Sequence, residues 1–167
     1  MVDRQIFRAA MARLGAPVTI ITSDGPGGRY GMTASAVCSV TDDPPTLLIC
    51  VNRSSNANRV LKANGALCVN ILAGRHQPVS ERFARSGLTM TERFGDEAWG
   101  TLATGSPVLA DASVALDCRL VEVSEVGTHS VFFCRVEDAC FHDDAEGLIY
   151  FDRAYHCVAR ARDRVTA

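Results

Sequence analysis

The feature that most constrains the fold is a pair of long segments in which apolar and polar residues alternate, at residues 113–123 and 129–141. This alternation is typical of β-strands, because successive side chains on a strand point to opposite faces of the sheet. The five residues between the segments, Ser124-Glu125-Val126-Gly127-Thr128, are few enough to form the turn of an antiparallel hairpin. The sequence therefore predicts a long β-hairpin in the second half of the chain.

Shorter segments with strand-like and helical patterns surround this hairpin. Runs rich in β-branched and apolar residues predict strands at residues 18–22, 30–40, 46–51, 66–72 and 148–151. Helical periodicity, together with Gly and Pro as terminators, predicts short helices at residues 5–14, 57–64 and 78–84. The run 46–51 is continuously apolar and predicts a strand buried on both faces, whereas residues 89–105 show no regular pattern.

The balance of these elements indicates the fold class. Strands outnumber helices and do not alternate strictly with them, which disfavours a doubly wound fold. A mainly β (α+β) protein, built as an antiparallel barrel with short flanking helices at its ends, fits the pattern better. The 167 residues contain no repeat, linker or low-complexity tract, so we expect a single domain over residues 1–167.

Composition excludes several broad classes of protein. Hydrophobic residues make up 47% of the chain and the formal net charge is −2, a combination that excludes intrinsic disorder. No uninterrupted apolar run approaches the ~18 residues of a transmembrane helix. Near-neutral charge with scattered Lys and Arg argues against a nucleic-acid-binding face. We therefore expect a compact domain that has neither a membrane nor a nucleic acid as its partner.

The seven cysteines bear on the redox compartment. They include no C-x-x-C pair, and no His stands at zinc-finger spacing from any two of them. Most lie in apolar, strand-like runs, so we expect reduced thiols packed in the core. The N-terminal residues lack an apolar stretch long enough for a signal peptide. These features predict a cytoplasmic protein, because thiols stay reduced in that compartment.

Several common catalytic arrangements are absent from the sequence. There is no G-x-x-x-x-G-K-[ST] loop, no strand–G-x-G-x-x-G–helix unit and no G-x-S-x-G elbow. The four histidines lie far apart and Asp143-Asp144 is typical of a solvated turn, so no metal site is expected. No cysteine stands in an electropositive context that would lower its pKa. We therefore expect no side-chain nucleophile and no catalytic dyad.

Three other segments have unusual chemistry. The small residues Thr33-Ala34-Ser35-Ala36-Val37 would let a flat ligand approach the backbone, or alternatively let a strand pack tightly against a helix. Asn52-Arg53-Ser54-Ser55-Asn56 leads from a strand into a helix and offers a cation and N–H groups to a phosphate; ordinary helix capping by Ser55 or Asn56 is the alternative. Gly127-Thr128-His129 places a His at the start of a strand, in either a functional or a structural role.

Taken together, these segments resemble the short-chain flavin reductase family over nearly the whole chain, from residue 7 to residue 156. The order and spacing of five motifs carry the match: Thr33-Ala34-Ser35-Ala36-Val37-Cys38-Ser39-Val40, Pro44-Pro45-Thr46-Leu47-Leu48, Asn64-Gly65-Ala66-Leu67-Cys68-Val69-Asn70, Gly127-Thr128-His129 and Leu148-Ile149-Tyr150-Phe151. The chain looks most like the reductase components of two-component aromatic monooxygenases, such as 4-hydroxyphenylacetate or chlorophenol hydroxylases. The flavin reductase of the pyrimidine-utilisation pathway is similar as well.

The resemblance implies a split, Greek-key-like β-barrel that binds FMN or FAD and forms a homodimer. By carry-over, the flavin would contact Thr33, Ala34, Ser35, Ala36, Ser39, Asn52, Arg53, Ser54, Ser55, Phe83 and Ala84. The nicotinamide or its cleft would be bordered by Gly127, Thr128, His129, Tyr150, Phe151, Arg153, Tyr155 and His156. No catalytic side chain is implied, because the cofactor itself carries the chemistry.

The implied function is an NAD(P)H-dependent flavin reductase that transfers a hydride from NADH, with NADPH as the alternative donor. Reduced FMN or FAD would then leave for a separate monooxygenase component in aromatic or pyrimidine catabolism. His129 would orient NADH, Ser35 or a neighbouring N–H would bond the reduced ring, and Arg153 and Arg160 could meet the 2′-phosphate of NADPH. Two alternatives remain open: a barrel that holds flavin tightly as an electron carrier or sensor without turnover, and a barrel that binds another ligand and no flavin.

Overall fold

The computed structural model describes residues 2–143 and 146–160. Within these ranges the chain forms four α-helices and one 3-10 turn, namely α1 (Arg4–Ala12), α2 (Asn56–Asn64), the turn Gly74–His76, α3 (Gln77–Ala84) and α4 (Met90–Phe94). Helices α1, α2 and α3 lie where the helical patterns predicted them. Ser55 caps α2 by accepting a hydrogen bond from the Asn58 N–H, and Gly65 ends that helix in the left-handed conformation, with φ of 65°.

Twelve β-strands occupy most of the remaining described residues. They are β1 (Ala16–Pro17), β2 (Thr19–Ser23), β3 (Tyr30–Ala34), β4 (Val37–Asp42), β5 (Pro45–Asn52), β6 (Ala66–Ile71), β7 (Trp99–Thr101), β8 (Pro107–Leu109), β9 (Val114–Val126), β10 (His129–Phe141), β11 (Glu146–Phe151) and β12 (Ala154–Ala159). The strands pair in antiparallel fashion. The prediction of a mainly β, antiparallel protein with short flanking helices is confirmed.

Seven of the strands form one sheet with a topology that forces it to curl. Their spatial order is β3-β2-β6-β9-β10-β5-β4. Laid flat, a seven-stranded sheet would hold its edges about 29 Å apart. The edge strands β3 and β4 are consecutive in the chain, however, and are joined only by Ser35 and Ala36, which span at most about 11 Å. The sheet therefore curls into a barrel that the chain itself closes and that is split between β3 and β4.

The long hairpin predicted from the alternating residues forms the centre of this sheet. β9 and β10 pair along their whole length, from Val126 opposite His129 to Val114 opposite Phe141. The turn is tighter than the five residues expected, because β9 continues to Val126 and only Gly127 and Thr128 connect the strands. Gly127 has φ of 55°, a left-handed conformation that favours glycine and suits a two-residue hairpin turn.

The prediction of a single strand over residues 30–40 is wrong. The chain forms β3 and β4 there, and the two strands pair at opposite edges of the sheet, β3 with β2 and β4 with β5. Ser35 and Ala36 carry no turn signal, and both flanking segments have a strand-like pattern, so the pattern continues through the break. The predicted strand is divided into β3 and β4 because barrel closure places them at opposite edges of the sheet.

The expectation that residues 46–51 are buried on both faces is also wrong. Leu47, Ile49 and Val51 are buried, whereas the residues between them are partly exposed. β5 has neighbours on both sides within the sheet, but only one of its faces is covered by the core. Two of its outward-facing residues, Leu48 and Cys50, are apolar nonetheless, which is why the pattern resembled that of a strand covered on both faces.

Two parts of the chain are more regular than the sequence suggested. Residues 89–105 contain α4 and β7, and α4 begins with a capping box between Thr89 and Glu92. A helix of five residues is too short for periodicity to reveal it. At the end of the described chain, β12 follows β11 through a turn in which Asp152 and Arg153 have φ of 46° and 65°. The strand predicted at 148–151 is thus the first half of a hairpin.

Two large clusters of buried side chains, and a third of only three buried residues, stabilise the barrel and its helices. The first includes Ile21, Leu67 and Phe132 on one face of the large sheet. The second lies on the other side of β2, where α3 and α4 pack, and includes Ile20 and Phe83. Each of the two large clusters is dominated by large apolar side chains that are almost completely removed from water, the main source of folding free energy.

All seven cysteines are free, but they are not all core residues. Cys68, Cys118 and Cys134 are buried, whereas Cys38 and Cys157 are exposed, so the expectation of core thiols holds for part of the set. Cys38 lies on an edge strand, whose outer face the core does not cover. Desolvation raises the pKa of Cys134 to about 12 and keeps that thiol protonated at neutral pH. Across the described ranges, no helix has the length and apolar character needed to cross a membrane.

Candidate functional site

A cleft lies at the split of the barrel. Its volume is about 230 Å³, and its lining residues are Val18, Thr33, Ala34, Ser35, Ala84, Tyr150 and Tyr155. The end of β3 contributes small residues, the last residue of α3 contributes a methyl group, and the β11–β12 hairpin contributes two aromatic rings. Small side chains on one wall and aromatic rings on another suit a flat ligand that approaches the β3 backbone.

Hydrogen bonds around Ser80 connect the walls of the cleft. Ser80 lies in α3 and is fully buried. Its carbonyl accepts a hydrogen bond from Thr33 Oγ1 at 2.5 Å, and its hydroxyl oxygen lies 3.1 Å from that of Tyr155. Thr19 Oγ1 donates to the Ala34 carbonyl at 2.7 Å and fixes β3 from the other side. The shape of the cleft is therefore set by bonds among four elements, α3, β2, β3 and β12.

The β11–β12 hairpin presents an aromatic surface at the cleft. The rings of Tyr150 and Tyr155 meet edge to face with their centroids 5.2 Å apart. Phe151 and His156 form a second ring pair at 5.9 Å, and His156 Nε2 lies 3.2 Å from the Phe151 carbonyl oxygen. The tyrosines line the cleft, whereas Phe151 and His156 are exposed beside it.

A second, more open cavity lies where β5 ends and β10 begins. Its volume is about 470 Å³, and its lining residues are Asn52, Arg53, Ser54, Gly127 and Thr128. The register of the sheet brings these segments together, because Asn52 pairs with His129. The Arg53 backbone N–H donates to the Thr128 carbonyl at 2.9 Å, and Arg53 Nη1 donates to the Gly127 carbonyl at 3.3 Å. A guanidinium, an amide and two hydroxyls are groups that suit an anionic ligand.

The residues that follow this cavity start α2. The Ser55 hydroxyl caps the helix and donates to the Asn52 carbonyl at 2.7 Å. The Ser54 N–H and hydroxyl each lie 2.9 Å from Asn52 Oδ1. Arg59 Nη2 donates to Asn56 Oδ1 at 2.8 Å. The capping interpretation is therefore confirmed for Ser55, while Arg53 and Ser54 also line the cavity.

The two cavities belong to the same end of the barrel. The Ala36 carbonyl accepts a hydrogen bond from the Cys50 N–H at 3.1 Å, two residues before Asn52 in β5. The segment 33–36 thus passes from the cleft at the split toward the end of β5. The sheet therefore brings together three segments with unusual chemistry that are far apart in the sequence.

Four of the expected flavin contacts are part of neither cavity lining, namely Ala36, Ser39, Ser55 and Phe83. Phe83 is 1% exposed and packs on Phe94 with ring centroids 5.2 Å apart, so it belongs to the core and not to the cleft surface. Neighbouring residues of a helix point about 100° apart, so Ala84 faces the cleft while Phe83 faces inward. Ser39 is exposed on β4 opposite Leu47 and is part of neither cavity lining.

The residues expected at the nicotinamide divide between the two cavities. Gly127 and Thr128 line the open cavity, with His129 next to them, and the His129 Nδ1 lies 2.9 Å from Thr128 Oγ1. Tyr155 lines the cleft at the split together with the segment expected to hold the flavin ring. The aromatic hairpin and the Gly127–His129 turn therefore border different cavities of this chain.

Sequence reasoning missed two residues that organise these cavities. In the sequence Ser80 is an ordinary residue of a short predicted helix. Its hydrogen-bond partners Thr33 and Tyr155 are 47 and 75 positions away along the chain. Glu125 reads as a turn residue, yet it pairs with Arg53 at 3.0 Å. No local pattern marks either residue, because the contacts depend on how the barrel closes.

The acidic and metal-ligating residues form no comparable centre. Over residues 2–143 and 146–160, no three His, Cys, Asp or Glu side chains are placed to hold a metal ion. Asp143 is exposed and accepts a hydrogen bond from Arg160 Nη1 at 2.6 Å. Asp144, the second residue of the predicted solvated turn, lies outside the described residues.

The fold and the two cavities define the class of this protein as a split β-barrel with a ligand cleft at the split. The model of the family described as flavin reductase like domain matches residues 11–159, and the chain belongs to that family. The family resemblance and the split-barrel fold inferred from the sequence are therefore confirmed.

Individual relatives and solved structures agree with this assignment. The chain is 57% identical over 159 residues to the FMN reductase (NADH) RutF of Ancylobacter novellus, which covers 95% of this chain and 87% of that protein. A solved structure of a Haemophilus somnus protein assigned as a flavin reductase has a TM-score of 0.90 at 43% identity, over 94% of this chain and 100% of the other. BorF, the flavin reductase component of a bacterial two-component tryptophan halogenase, has a TM-score of 0.87 at 27% identity, over 95% and 100% of the two chains.

Proposed function

We propose that this protein is an NADH-dependent flavin reductase that reduces free FMN. The observation that carries the proposal is the cleft at the split of the barrel, with the β3 backbone on one wall and the Tyr150–Tyr155 pair on the other. The choice of FMN and NADH is supported by the name of the relative from Ancylobacter novellus. FAD as the flavin and NADPH as the donor are the alternatives that the assay below distinguishes.

The residues of the two cavities fit a flavin mononucleotide in chemistry. Thr33, Ala34 and Ser35 leave the β3 backbone accessible to a planar ring, and the tyrosines offer an apolar surface with polar tips. Arg53 and Ser54 offer charge-assisted and neutral hydrogen bonds to a phosphate. The cleft alone is smaller than the ~300–1,000 Å³ of typical small-molecule sites, whereas the open cavity at the same end of the barrel lies within that range.

The chain's own contribution to the reaction is binding and orientation. When bound, the flavin supplies the ring that accepts the hydride. We expect Ser35, which lines the cleft, and the neighbouring backbone to orient that ring, and His129, beside the open cavity, to orient the nicotinamide nucleotide. Holding two reactants in a near-attack arrangement lowers the entropic part of the barrier without any side-chain proton transfer.

The proposal also covers the partner protein, the oligomeric state and the cellular compartment. Reduced flavin would pass to a separate monooxygenase component, in pyrimidine or aromatic catabolism; transfer to a separate component is supported by the similarity to the flavin reductase component of a two-component halogenase. We also propose that residues 1–167 act as a single domain, that two copies form a homodimer and that the protein works in the cytosol. The seven free cysteines support a reducing compartment.

The test is an assay of NADH oxidation by purified protein with FMN, FAD or riboflavin added separately, repeated with NADPH. Oxidation that saturates with free FMN and prefers NADH is the expected result, and a heat-denatured sample is the control. Absence of oxidation with every flavin and both donors would contradict the proposal. In that case a yellow protein would indicate a flavin carrier or sensor, and no spectral change on adding flavin would indicate a barrel for another ligand.

A further inference from the structure

Glu125 lies at the centre of a polar network beside the open cavity. Its Oε2 accepts hydrogen bonds from Arg53 Nε at 3.0 Å and from the Ser130 hydroxyl at 2.8 Å. Its Oε1 accepts from Lys62 Nζ at 2.6 Å. Asn58 Nδ2 is buried and donates to the Ser130 hydroxyl at 2.8 Å, which anchors the network in the core. Three hydrogen bonds therefore hold a carboxylate that no part of the proposed chemistry uses directly.

The network fixes the side chain of Arg53, the cation that lines the cavity. Nε of Arg53 is bound by Glu125 and Nη1 is bound by the Gly127 carbonyl, so two edges of the guanidinium are tied to the β9–β10 hairpin. A guanidinium carries five N–H donors, so other donors remain for a ligand. An Arg side chain that is more than half exposed would otherwise lose rotamer entropy when it binds an anion. Holding it in place beforehand removes that cost.

We propose that Glu125 is a positioning residue that holds Arg53 ready to bind a phosphoryl group of a substrate in the open cavity. This inference rests on the proposed function, because it assigns the cavity to the phosphate of FMN or to the pyrophosphate of NADH. The hydrogen bonds from Lys62 and Ser130 keep the pKa of Glu125 below its ordinary value, so the carboxylate stays charged at neutral pH.

The direction in which phosphate affinity changes when Glu125 is removed distinguishes a positioning role from a purely electrostatic one. If Glu125 acted only as a negative charge near the cavity, its removal would strengthen binding of a phosphate. If it positions Arg53, its removal weakens that binding despite the loss of a repelling charge. We expect the Glu125→Ala variant to bind FMN about tenfold more weakly, the loss of roughly one charge-assisted hydrogen bond. Glu125→Gln keeps an oxygen that can accept from Arg53 Nε and should recover part of the affinity.

Binding of FMN and of riboflavin, measured by quenching of flavin fluorescence, tests the inference independently of turnover. Riboflavin has no phosphate, so its affinity should change less than about twofold in Glu125→Ala if the cavity holds the flavin phosphate. If the cavity holds the dinucleotide instead, both flavin affinities stay constant and the KM for NADH rises with riboflavin as the acceptor. Equal loss for FMN and riboflavin would indicate a merely structural role and overturn the inference, as would unchanged or tighter binding throughout.

Lys62→Ala is the matched control. It removes the other cation from the same carboxylate, yet Lys62 is not part of the cavity lining and Glu125 keeps its bonds to Arg53 and Ser130. We expect a change below about twofold, as for most exposed ion pairs. A Lys62→Ala effect as large as that of Glu125→Ala would overturn the positioning role of Glu125. Absent turnover in the wild type, by contrast, would contradict the proposed function while leaving the flavin-binding comparison decisive.

Discussion

The hydroxyl oxygens of Ser80 and Tyr155 lie 3.1 Å apart, although the two residues are separated by 75 positions in the chain. The same buried serine accepts a hydrogen bond from Thr33 through its carbonyl oxygen. One residue of α3 is therefore bonded to both the β3 wall and the aromatic wall of the cleft. Because Ser80 is completely buried, water does not compete for these bonds.

We expect Ser80→Ala and Tyr155→Phe each to lower the free energy of unfolding by about 1 kcal/mol, since both remove the same hydrogen bond. The double variant should lose little more than either single one, which gives a coupling energy of about 1 kcal/mol. Urea unfolding followed by circular dichroism measures all four proteins. Tyr150→Phe is the control, because its combination with Ser80→Ala should be additive. Additivity of the Ser80 and Tyr155 changes would show that the hydroxyl contact contributes nothing.

A second prediction concerns His129, which lies next to the open cavity and bonds to Thr128. His129→Ala should raise the KM for NADH more than it weakens binding of flavin if the residue orients the nicotinamide nucleotide as proposed. Steady-state kinetics and flavin titration give the two values. His142→Ala is the matched control, since this exposed histidine bonds to the Ala112 carbonyl and lines neither cavity. An unchanged KM for NADH would refute the assignment of His129.

Gly31 tests the packing beneath the cleft. A methyl group on Gly31 would overlap the ring of Phe83, which is fixed in the core. Gly31→Ala should therefore lower the free energy of unfolding by about 1–3 kcal/mol, the usual cost of overpacking. In Gly100→Ala the added Cβ meets no atom within 4 Å, so this variant serves as the control with little effect. Equal unfolding midpoints for the two variants in urea would contradict the tight contact between Gly31 and Phe83.

The capping box of α4 gives a prediction about pH. Hydrogen bonds from the hydroxyl and the backbone N–H of Thr89 hold the pKa of Glu92 below its ordinary value of 4.5. A carboxyl whose pKa is lower in the folded state contributes stability above the unfolded pKa and loses it as the pH falls through the folded pKa. The stability difference between wild type and Glu92→Gln should therefore shrink as the pH drops below about 4.5.

Urea unfolding at a series of pH values between neutrality and the acid range measures this difference. The Thr89→Ala background removes the hydroxyl that bonds the carboxylate, so the pH dependence of the Glu92→Gln effect should be smaller there. A difference that stays constant with pH in the wild-type background would show that the capping box does not stabilise the charged form of Glu92.

Local patterns were sufficient for much of the fold. Alternation located the β9–β10 hairpin, and the pair Ser55 and Gly65 bounded α2, since strand and helix periods and caps depend on neighbouring residues only. The break between β3 and β4 at Ser35 and Ala36 was not predicted, because no residue in that run is unfavourable for a strand. It is a consequence of barrel closure, which is a property of the whole sheet.

The candidate site, like the fold, was predicted only in part from the sequence. The segments at 33–37, 52–56 and 127–129 were visible because each has unusual residues in a short stretch. The burial of Phe83 and the bonds of Ser80 and Glu125 were not visible, since they depend on which helix face turns inward and on contacts between distant parts of the chain. The resemblance to a family located the neighbourhood of the site, and the side-chain directions required the structure.

The two-residue connection between β3 and β4 has a consequence for how this protein acquires and keeps a ligand. The cleft wall at residues 33–35 belongs to one edge of the sheet, and the next strand belongs to the other. The connection that follows this wall therefore joins the first and last strands in the spatial order. We expect ligand affinity and the folding of this edge to be linked, because fraying of β3 would remove the wall that contacts the ligand and a bound ligand stabilises the folded form.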